Sequence, residues 1–407
     1  MNSADAAAEA WFASLASANG AWAEAAKRRV PDAQRQALAR TVLALGREGL
    51  LPVVPVAGRF SCRLSDGSGT LTGEGFRGSR ILLRSDLSAL RMVWSDGAEE
   101  VIDHPARLLE IVASSVNGAG ASDSGAWQRL AEEVTDSVLN ESLTQAAHER
   151  THARVRDALE RQEAAGLRNV IRELGPAPDG ALFLDQWAAT GHPLHTVPKT
   201  RLGLDPGDAL SLLPEFHPTV PVRLAAVRRD RICAELPGHG QRLGAWFTGE
   251  YPDWMDAWRG RLEDQGRDAD VYEPFPVHPW QAEQVLPEML REALARGEVA
   301  LLNGPVLPML PCLSVRSLVP AHVPGGTGFK LALGVRLTSG VRTITPRSCH
   351  MGSRVSRLLN HIFEQDAGFG GRAIGIEEIL GAHYRTPNEL PDVEKHLSFI
   401  ARESVSR

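Results

Sequence analysis

The sequence predicts an α+β protein, in which helical and strand-rich segments follow one another in blocks. Three observations carry that expectation. The first 50 residues are rich in Ala, Leu and Arg, residues 52–113 change to short apolar runs broken by glycine, and residues 329–345 alternate apolar and polar side chains. Blocks of helix and blocks of strand, without a repeating strand–helix alternation, are the pattern of an α+β fold.

In chain order, residues 1–50 read as two helices broken near Val30-Pro31-Asp32. Asp32 is the expected N-cap of the second, which runs through Ala37, Leu38, Val42 and Leu45. Gly67-Ser68-Gly69 and Ser95-Asp96-Gly97 are turn chemistry, so Pro52 to about Ala113 reads as a small β-meander. Residues 126–162 read as a helical stretch of two helices. A proline-rich mixed region follows Ala165-Gly166, with short helices at 181–190 and 282–296. The clearest strands are 313–319 and 329–345. Helical pattern returns after Met351 through Val355, Leu358, Leu359 and Ile362, and the chain finishes at 393–404 in what reads as an uncapped helix.

Composition narrows the function. The 407 residues are 43% hydrophobic and 23% charged, with a net charge of −6, so no overall basicity recruits nucleic acid. At roughly 100–200 residues per domain the length gives two or three domains. No run approaches the roughly 18–20 apolar residues of a membrane span, and Asp5 and Glu9 argue against a secretory leader. Cys62, Cys233, Cys312 and Cys349 are far apart and share no CxxC spacing, which fits a reducing, cytoplasmic setting and no metal site.

Four clusters could carry chemistry. In the first, Gly191 suits the position after a helix and Pro193 stops continuation, leaving His192 and His195 on a rigid loop with Lys199 and Arg201 close behind. Such a set can bind a carboxylate; the plainer reading is a turn with capping histidines and solvated basic residues. A zinc HxxH reading is weaker, because Pro193 removes the helix that such a pair needs. The second and third, Glu215-Phe216-His217-Pro218 and Val277-His278-Pro279-Trp280-Gln281, each read singly as packed loop corners.

The fourth is Lys330 to Thr338. Leu331, Leu333, Val335 and Leu337 fall on one face of the expected strand, with Lys330, Ala332, Gly334, Arg336 and Thr338 on the other. Ser339-Gly340 gives a bend before Arg342, and Ser314 and Arg316 share a face of a neighbouring expected strand. Asp and Glu are absent from 313–365 except for Glu364. Cations, hydroxyls and small residues together make a polyphosphate cradle, against the plainer reading of a solvated basic sheet. No Walker A, GxGxxG or GxSxG pattern is present.

At these residues the chain resembles the NRPS-independent siderophore synthetases of the aerobactin-synthetase-like IucA/IucC family. The resemblance runs from Gly191-His192-Pro193 to Arg201, through Pro214-Glu215-Phe216-His217-Pro218, Val277 to Gln281, Ser314 to Ser317 and Lys330 to Arg347, into His350 to Ser356. Thr196 stands where the family usually has proline, and Ser317 where it usually has threonine.

The resemblance implies a cupped-hand arrangement with a mainly antiparallel sheet: a thumb-like part at 1–165, a fingers-like part at 166–350 that holds the sheet, and the start of an incomplete palm-like domain at 351–407. It implies an ATP-dependent, AMP-forming ligase that uses Mg²⁺ and adenylates citrate or a related dicarboxylic acid before an amine or alcohol displaces AMP. Ser314, Arg316, Ser317, Lys330 and Arg342 would contact nucleotide. His192, His195, Lys199, Thr338 and Arg342 would surround the carboxylic acid, with Lys330, Arg342 and His192 as catalytic residues. Small molecules are the expected partners, with no nucleic acid or membrane, and a homodimer is one expected assembly. Family members continue into a domain that adds a histidine and acidic residues. A chain ending here is therefore expected to be truncated, and the competing expectation is a non-catalytic remnant that binds nucleotide or carboxylate.

Overall fold

A long helix, α1 (Ser3–Arg47), opens the chain, and it breaks at Asn19 rather than at Pro31. Asn19 has extended backbone angles (φ −161°, ψ 100°), and its side-chain oxygen accepts from the Trp22 amide at 3.2 Å, so it caps the second segment. Pro31 sits inside that segment, and Asp32 pairs with Arg29 and Arg35 instead of capping. The computed structural model describes residues 3–53, 58–79, 82–117, 124–161, 166–175, 180–188, 190–192, 195–238, 240–322, 326–338, 340–369 and 372–404.

The expected meander is present: β1 (Arg59–Arg63), β2 (Gly69–Ser79), β3 (Leu82–Trp94) and β4 (Glu99–Val101) pair in chain order, antiparallel throughout. Its buried face carries Phe60, Leu71, Leu90 and Met92 onto α1 and onto α2 (Pro105–Asn117), a helix that occupies the end of the stretch expected to be meander; the meander itself stops at Val101. Phe60 lies opposite Gly73, where an added Cβ would come within 2.1 Å of its ring. A single helix, α3 (Ser124–Arg161), replaces the expected pair; no Gly or Pro interrupts residues 126–161.

Next come α4 (Gly166–Leu174), α5 (Ala181–Trp187), β5 (Arg201–Leu202) and α6 (Pro206–Leu212), then β6 (Val220–Arg228) and β7 (Ile232–Glu235). They are followed by α7 (Leu243–Glu250), α8 (Pro252–Asp264) and β8 (Tyr272–Val277). Where one helix was expected at 282–296 there are three short ones, α9 (Pro279–Gln284), α10 (Leu286–Met289) and α11 (Arg291–Ala295), before β9 (Val299–Ala300). The chain closes with β10 (Val306–Pro311), β11 (Ser317–Pro320), β12 (Gly328–Leu331), β13 (Leu333–Leu337), β14 (Gly340–Arg342), α12 (Pro346–Gln365), β15 (Glu378–Tyr384), α13 (Pro391–Glu394) and β16 (Ser398–Arg402).

Nine strands form one antiparallel sheet in the order β7-β15-β16-β12-β11-β10-β6-β8, with β9 added on β6. The segment read as a terminal helix is therefore β16, a fully paired inner strand between β15 and β12. Its run Ser398-Phe399-Ile400-Ala401 is buried on both faces, so it lacks the period-2 signal of a half-buried strand.

Two compact units emerge from the contacts: residues 1–152 with 190–209 and 336–340, and residues 153–189 with 210–335 and 341–407. The expected linear boundaries at 165 and 350 contrast with this discontinuous division. Within the second unit Phe329 and Phe399 are fully buried among Phe247, Tyr251, Trp254 and Phe275, with ring centroids 4.9–6.5 Å apart. Burial of each such ring contributes roughly 1.5–3 kcal/mol. α12 crosses β15 and β16, where Gly381 is indispensable: an added Cβ would lie 2.2 Å from the Cys349 carbonyl oxygen. Among the described residues no helix is long and apolar enough to cross a membrane.

Candidate functional site

The pleat of β12 separates Lys330 from its neighbours. Phe329 and Leu331 are fully buried, Phe329 in the aromatic core, while Lys330 is only half-buried and lines a cleft of about 460 Å³. The same cleft is lined by Ser348, Gly352 and Ser356 of α12, Glu378 of β15 and Arg402 of β16. α12 begins at Thr345, whose hydroxyl oxygen accepts from the Ser348 amide at 3.2 Å, and Pro346 follows in the first turn. The capped first turn therefore faces the cleft through Ser348, and a helix N-terminus favours anions.

Strand register explains the clustering. Lys330 stands opposite Ser317 on β11 and Ile400 on β16; Arg402 stands opposite Gly328 and Glu378. Ser317 is buried, and among the described residues its hydroxyl has no hydrogen-bond partner. Lys330 Nζ lies 3.3 Å from Glu378 Oε1. Arg316 Nη1 donates to the Arg342 and Thr343 carbonyls at 2.9 and 2.7 Å, clamping the backbone that leads into α12. Burial first, and then the like charge of Arg342, push the Arg316 guanidinium pKa down, while Glu378 opposes the shift. The expected phosphate set Arg316, Ser317, Lys330 and Arg342 is thus assembled in one neighbourhood.

Three expectations about this region are corrected. Residues 313–316 form the turn between β10 and β11, closed by a 2.6 Å bond from the Ser317 amide to the Ser314 carbonyl, so Ser314 and Arg316 share no strand face. Ser314 lines a neighbouring cleft of about 290 Å³ with Ser317, Asp185 and Arg402. The strand expected at 329–345 is split at Ala332, whose amide donates to the Ser398 carbonyl. β12 stays in the large sheet, whereas β13 pairs with β5 through Arg336↔Leu202 and Leu337↔Arg201. Arg336 is therefore ion-paired with Glu133 of α3 and is no part of the cradle. Finally, the acid-free stretch in the sequence does not give an acid-free site, because β15 delivers Glu378.

The expected carboxylate set falls in the first unit, except for Arg342. His192 and His195 approach edge to face with ring centroids 6.3 Å apart, and His195 Nδ1 accepts from the Val197 amide at 3.2 Å. Gly191 has a left-handed φ of 97°, but α5 ends at Trp187 with Ala188 as its cap, so Gly191 is not the helix terminator. Pro193 and Ser339, to which a helix stop and a bend were assigned, lie outside the described residues. Thr338 takes φ 54°, and its hydroxyl donates to the Leu337 carbonyl at 2.6 Å.

Lys199 and Arg201 are not solvated; both are buried against α3. The Arg201 amide donates to Asp136 at 2.6 Å, and its guanidinium reaches Asn140 and Thr144 at 3.5 Å. Burial raises the Glu141 pKa, against the opposing charges of Arg40 and Lys199. Burial likewise lifts Asp136 to about 6.

The proline-flanked histidines are packed corners. His217 stacks on Phe183 and shares a 2.7 Å hydrogen bond with Gln186. His278 is fully buried with both ring nitrogens unpartnered, and burial drives its pKa down to about 3, so it is neutral. Its neighbour Gln281, which no sequence signal singled out chemically, receives the Gly334 amide at 2.7 Å and donates to the His396 carbonyl at 3.0 Å. Glu378, Arg402 and Gly352 were also missed, since only strand register and helix packing bring them to Lys330.

The sequence model of the IucA/IucC family matches residues 180–407, more than half of the chain. The chain belongs to the IucA/IucC family. An uncharacterized protein, y4xN, of Sinorhizobium fredii is 32% identical over 294 residues, covering 72% of this chain and 46% of that protein. A D-ornithine–citrate ligase of Staphylococcus aureus is 26% identical over 262 residues, 64% of this chain and 39% of the ligase. The solved structure of ATP-bound aerobactin synthetase IucA from Klebsiella pneumoniae superposes with a TM-score of 0.66 at 22% identity, covering 92% of this chain and 61% of that one. This IucA/IucC chain thus spans about half the length of the relatives it matches, and its α+β fold is that of the synthetases.

Proposed function

We propose that this chain carries the nucleotide-binding part of an ATP-dependent siderophore synthetase that joins citrate or a related dicarboxylic acid to an amine or alcohol. One observation carries the reading: Lys330 and Arg402 meet at one cleft under the capped start of α12, Ser317 stands opposite Lys330 and lines the neighbouring cleft that Arg402 also borders, and Arg316 and Arg342 adjoin. A cleft of about 460 Å³ falls within the roughly 300–1,000 Å³ of small-molecule sites. An orphaned buried hydroxyl costs roughly 1–3 kcal/mol unless a ligand oxygen satisfies it.

In this reading the acid's carboxylate attacks the α-phosphate of ATP, pyrophosphate leaves, and the nucleophile then displaces AMP from the acyl group. Lys330 and Arg402 would neutralise charge growing on the departing pyrophosphate, and Ser317 would donate to a phosphate oxygen. Arg316 would act through the backbone it clamps, setting where Arg342 and the α12 N-terminus stand. Mg²⁺, when bound, supplies further charge neutralisation on the phosphates. The loop of His192 and His195 is the proposed contact for the acid.

The test is acid-dependent pyrophosphate release from Mg-ATP, with hydroxylamine as acceptor and citrate leading a panel of acids. Release that needs one acid and vanishes in Lys330→Met supports the reading. Release that is indifferent to acid, or unchanged in Lys330→Met, refutes it.

A further inference from the structure

Among the described residues lining the Lys330 cleft, Glu378 is the one carboxylate. Its oxygen lies 3.3 Å from Lys330 Nζ, its cross-strand neighbour is Arg402, and its charge is felt at Arg316. A carboxylate among these cations takes the place that a phosphate oxygen needs.

Three features leave the carboxylate able to turn away. Its backbone is anchored independently of the side chain: the Glu378 amide donates to Ser356 Oγ at 3.2 Å, and that hydroxyl faces the Glu378 carbonyl at 3.3 Å. The register shifts between Glu378 and Leu380, a local irregularity at this end of β15. The side chain keeps about a quarter of its surface in solvent, at 24%. The space it occupies depends on Gly352, because a Cβ added there would lie 2.0 Å from Glu378 Oε2.

We propose that Glu378 is a built-in competitor for the phosphate-binding cations, paired with Lys330 until a polyphosphate displaces it. The inference rests on the nucleotide-binding reading above. Turning the carboxylate away costs the same for every anion, so the competition weakens all of them by one common factor, and only ligands whose intrinsic affinity is high, such as polyphosphates, still bind.

The test uses the full chain and inorganic pyrophosphate without metal, titrated calorimetrically into the wild type, Glu378→Gln, Lys330→Met and the double variant. Glu378→Gln keeps the shape and removes the charge, so pyrophosphate should bind roughly tenfold tighter, and that gain should vanish in the Lys330→Met background. Sulfate should gain by about the same factor, because both anions are relieved of the same competitor.

If Lys330→Met weakens binding but Glu378→Gln leaves it unchanged, the competitor role is overturned and the cleft assignment survives. Weaker binding of Mg-pyrophosphate alone in Glu378→Gln would instead make this residue a metal contact, which also overturns the proposal. If Lys330→Met has no effect, or the wild type binds no pyrophosphate, the nucleotide reading itself fails. Gly352→Ala, which pushes the carboxylate aside, should move pyrophosphate affinity in the same direction as Glu378→Gln.

Discussion

Lys330→Met separates a ligand-binding lysine from a structural one. Lys330 and Glu378 form a 3.3 Å pair with side chains 27% and 24% exposed, so solvent screens the interaction and its loss costs at most about 1 kcal/mol of stability. Methionine retains the apolar stem beside Met351 and Ile400, which limits any packing loss further. A charge-assisted bond from Lys330 to a phosphate is worth about 1.5–3 kcal/mol, so ATP affinity should fall roughly 10- to 150-fold. Calorimetric titration of Mg-ATP and a thermal melt of the same samples measure both quantities. Unchanged affinity, or a melting temperature that collapses while affinity holds, would refute the assignment of Lys330 to phosphate.

Other outcomes test the surrounding framework. Gly381→Ala should lower stability by about 1–3 kcal/mol, read as a lower urea midpoint, because its Cβ meets the Cys349 carbonyl backbone and α12 must lift from the sheet. Burial depresses the pKa of His278 to about 3, against about 6.5 in an unfolded chain. The unfolded state therefore binds the extra proton between those values, stability is full above pH 6.5, and it declines as pH falls towards 3. Urea midpoints measured across that range should flatten in His278→Gln relative to the wild type. Pro31→Ala should raise stability, by up to about 3 kcal/mol, because Pro31 interrupts a helix that Asn19 has already started. A melt that falls instead would show that the ring is needed for packing.

The meander was legible because its turn residues and its half-buried strands both leave a local mark. The cation cluster around Lys330 was legible as a set of residue types, yet its geometry was misread at Ala332. There the alternation from 331 to 337 continues in sequence while hydrogen bonding hands the chain from the large sheet to β5. Local periodicity describes which side chains are buried, and both halves of the run are buried on one side. It carries no information about which strand lies alongside.

The same limit explains Lys199 and Arg201, which read as available cations. Asp136, Asn140 and Glu141 lie about 60 residues upstream on α3, and only folding places that helix face against them. β16 was missed for the complementary reason, since a strand buried on both faces has no alternation to detect.

The sequence alone determined the fold class, the family and the kinds of group present at the cleft, because residue type, turn chemistry and ordered motifs are properties of the chain itself. The tertiary structure alone decided which of those cations share a cleft, which are consumed by buried partners, and that Glu378 sits among them. Those outcomes depend on strand register and helix packing between residues far apart in the chain, where a carboxylate 48 positions from Lys330 comes within 3.3 Å of it.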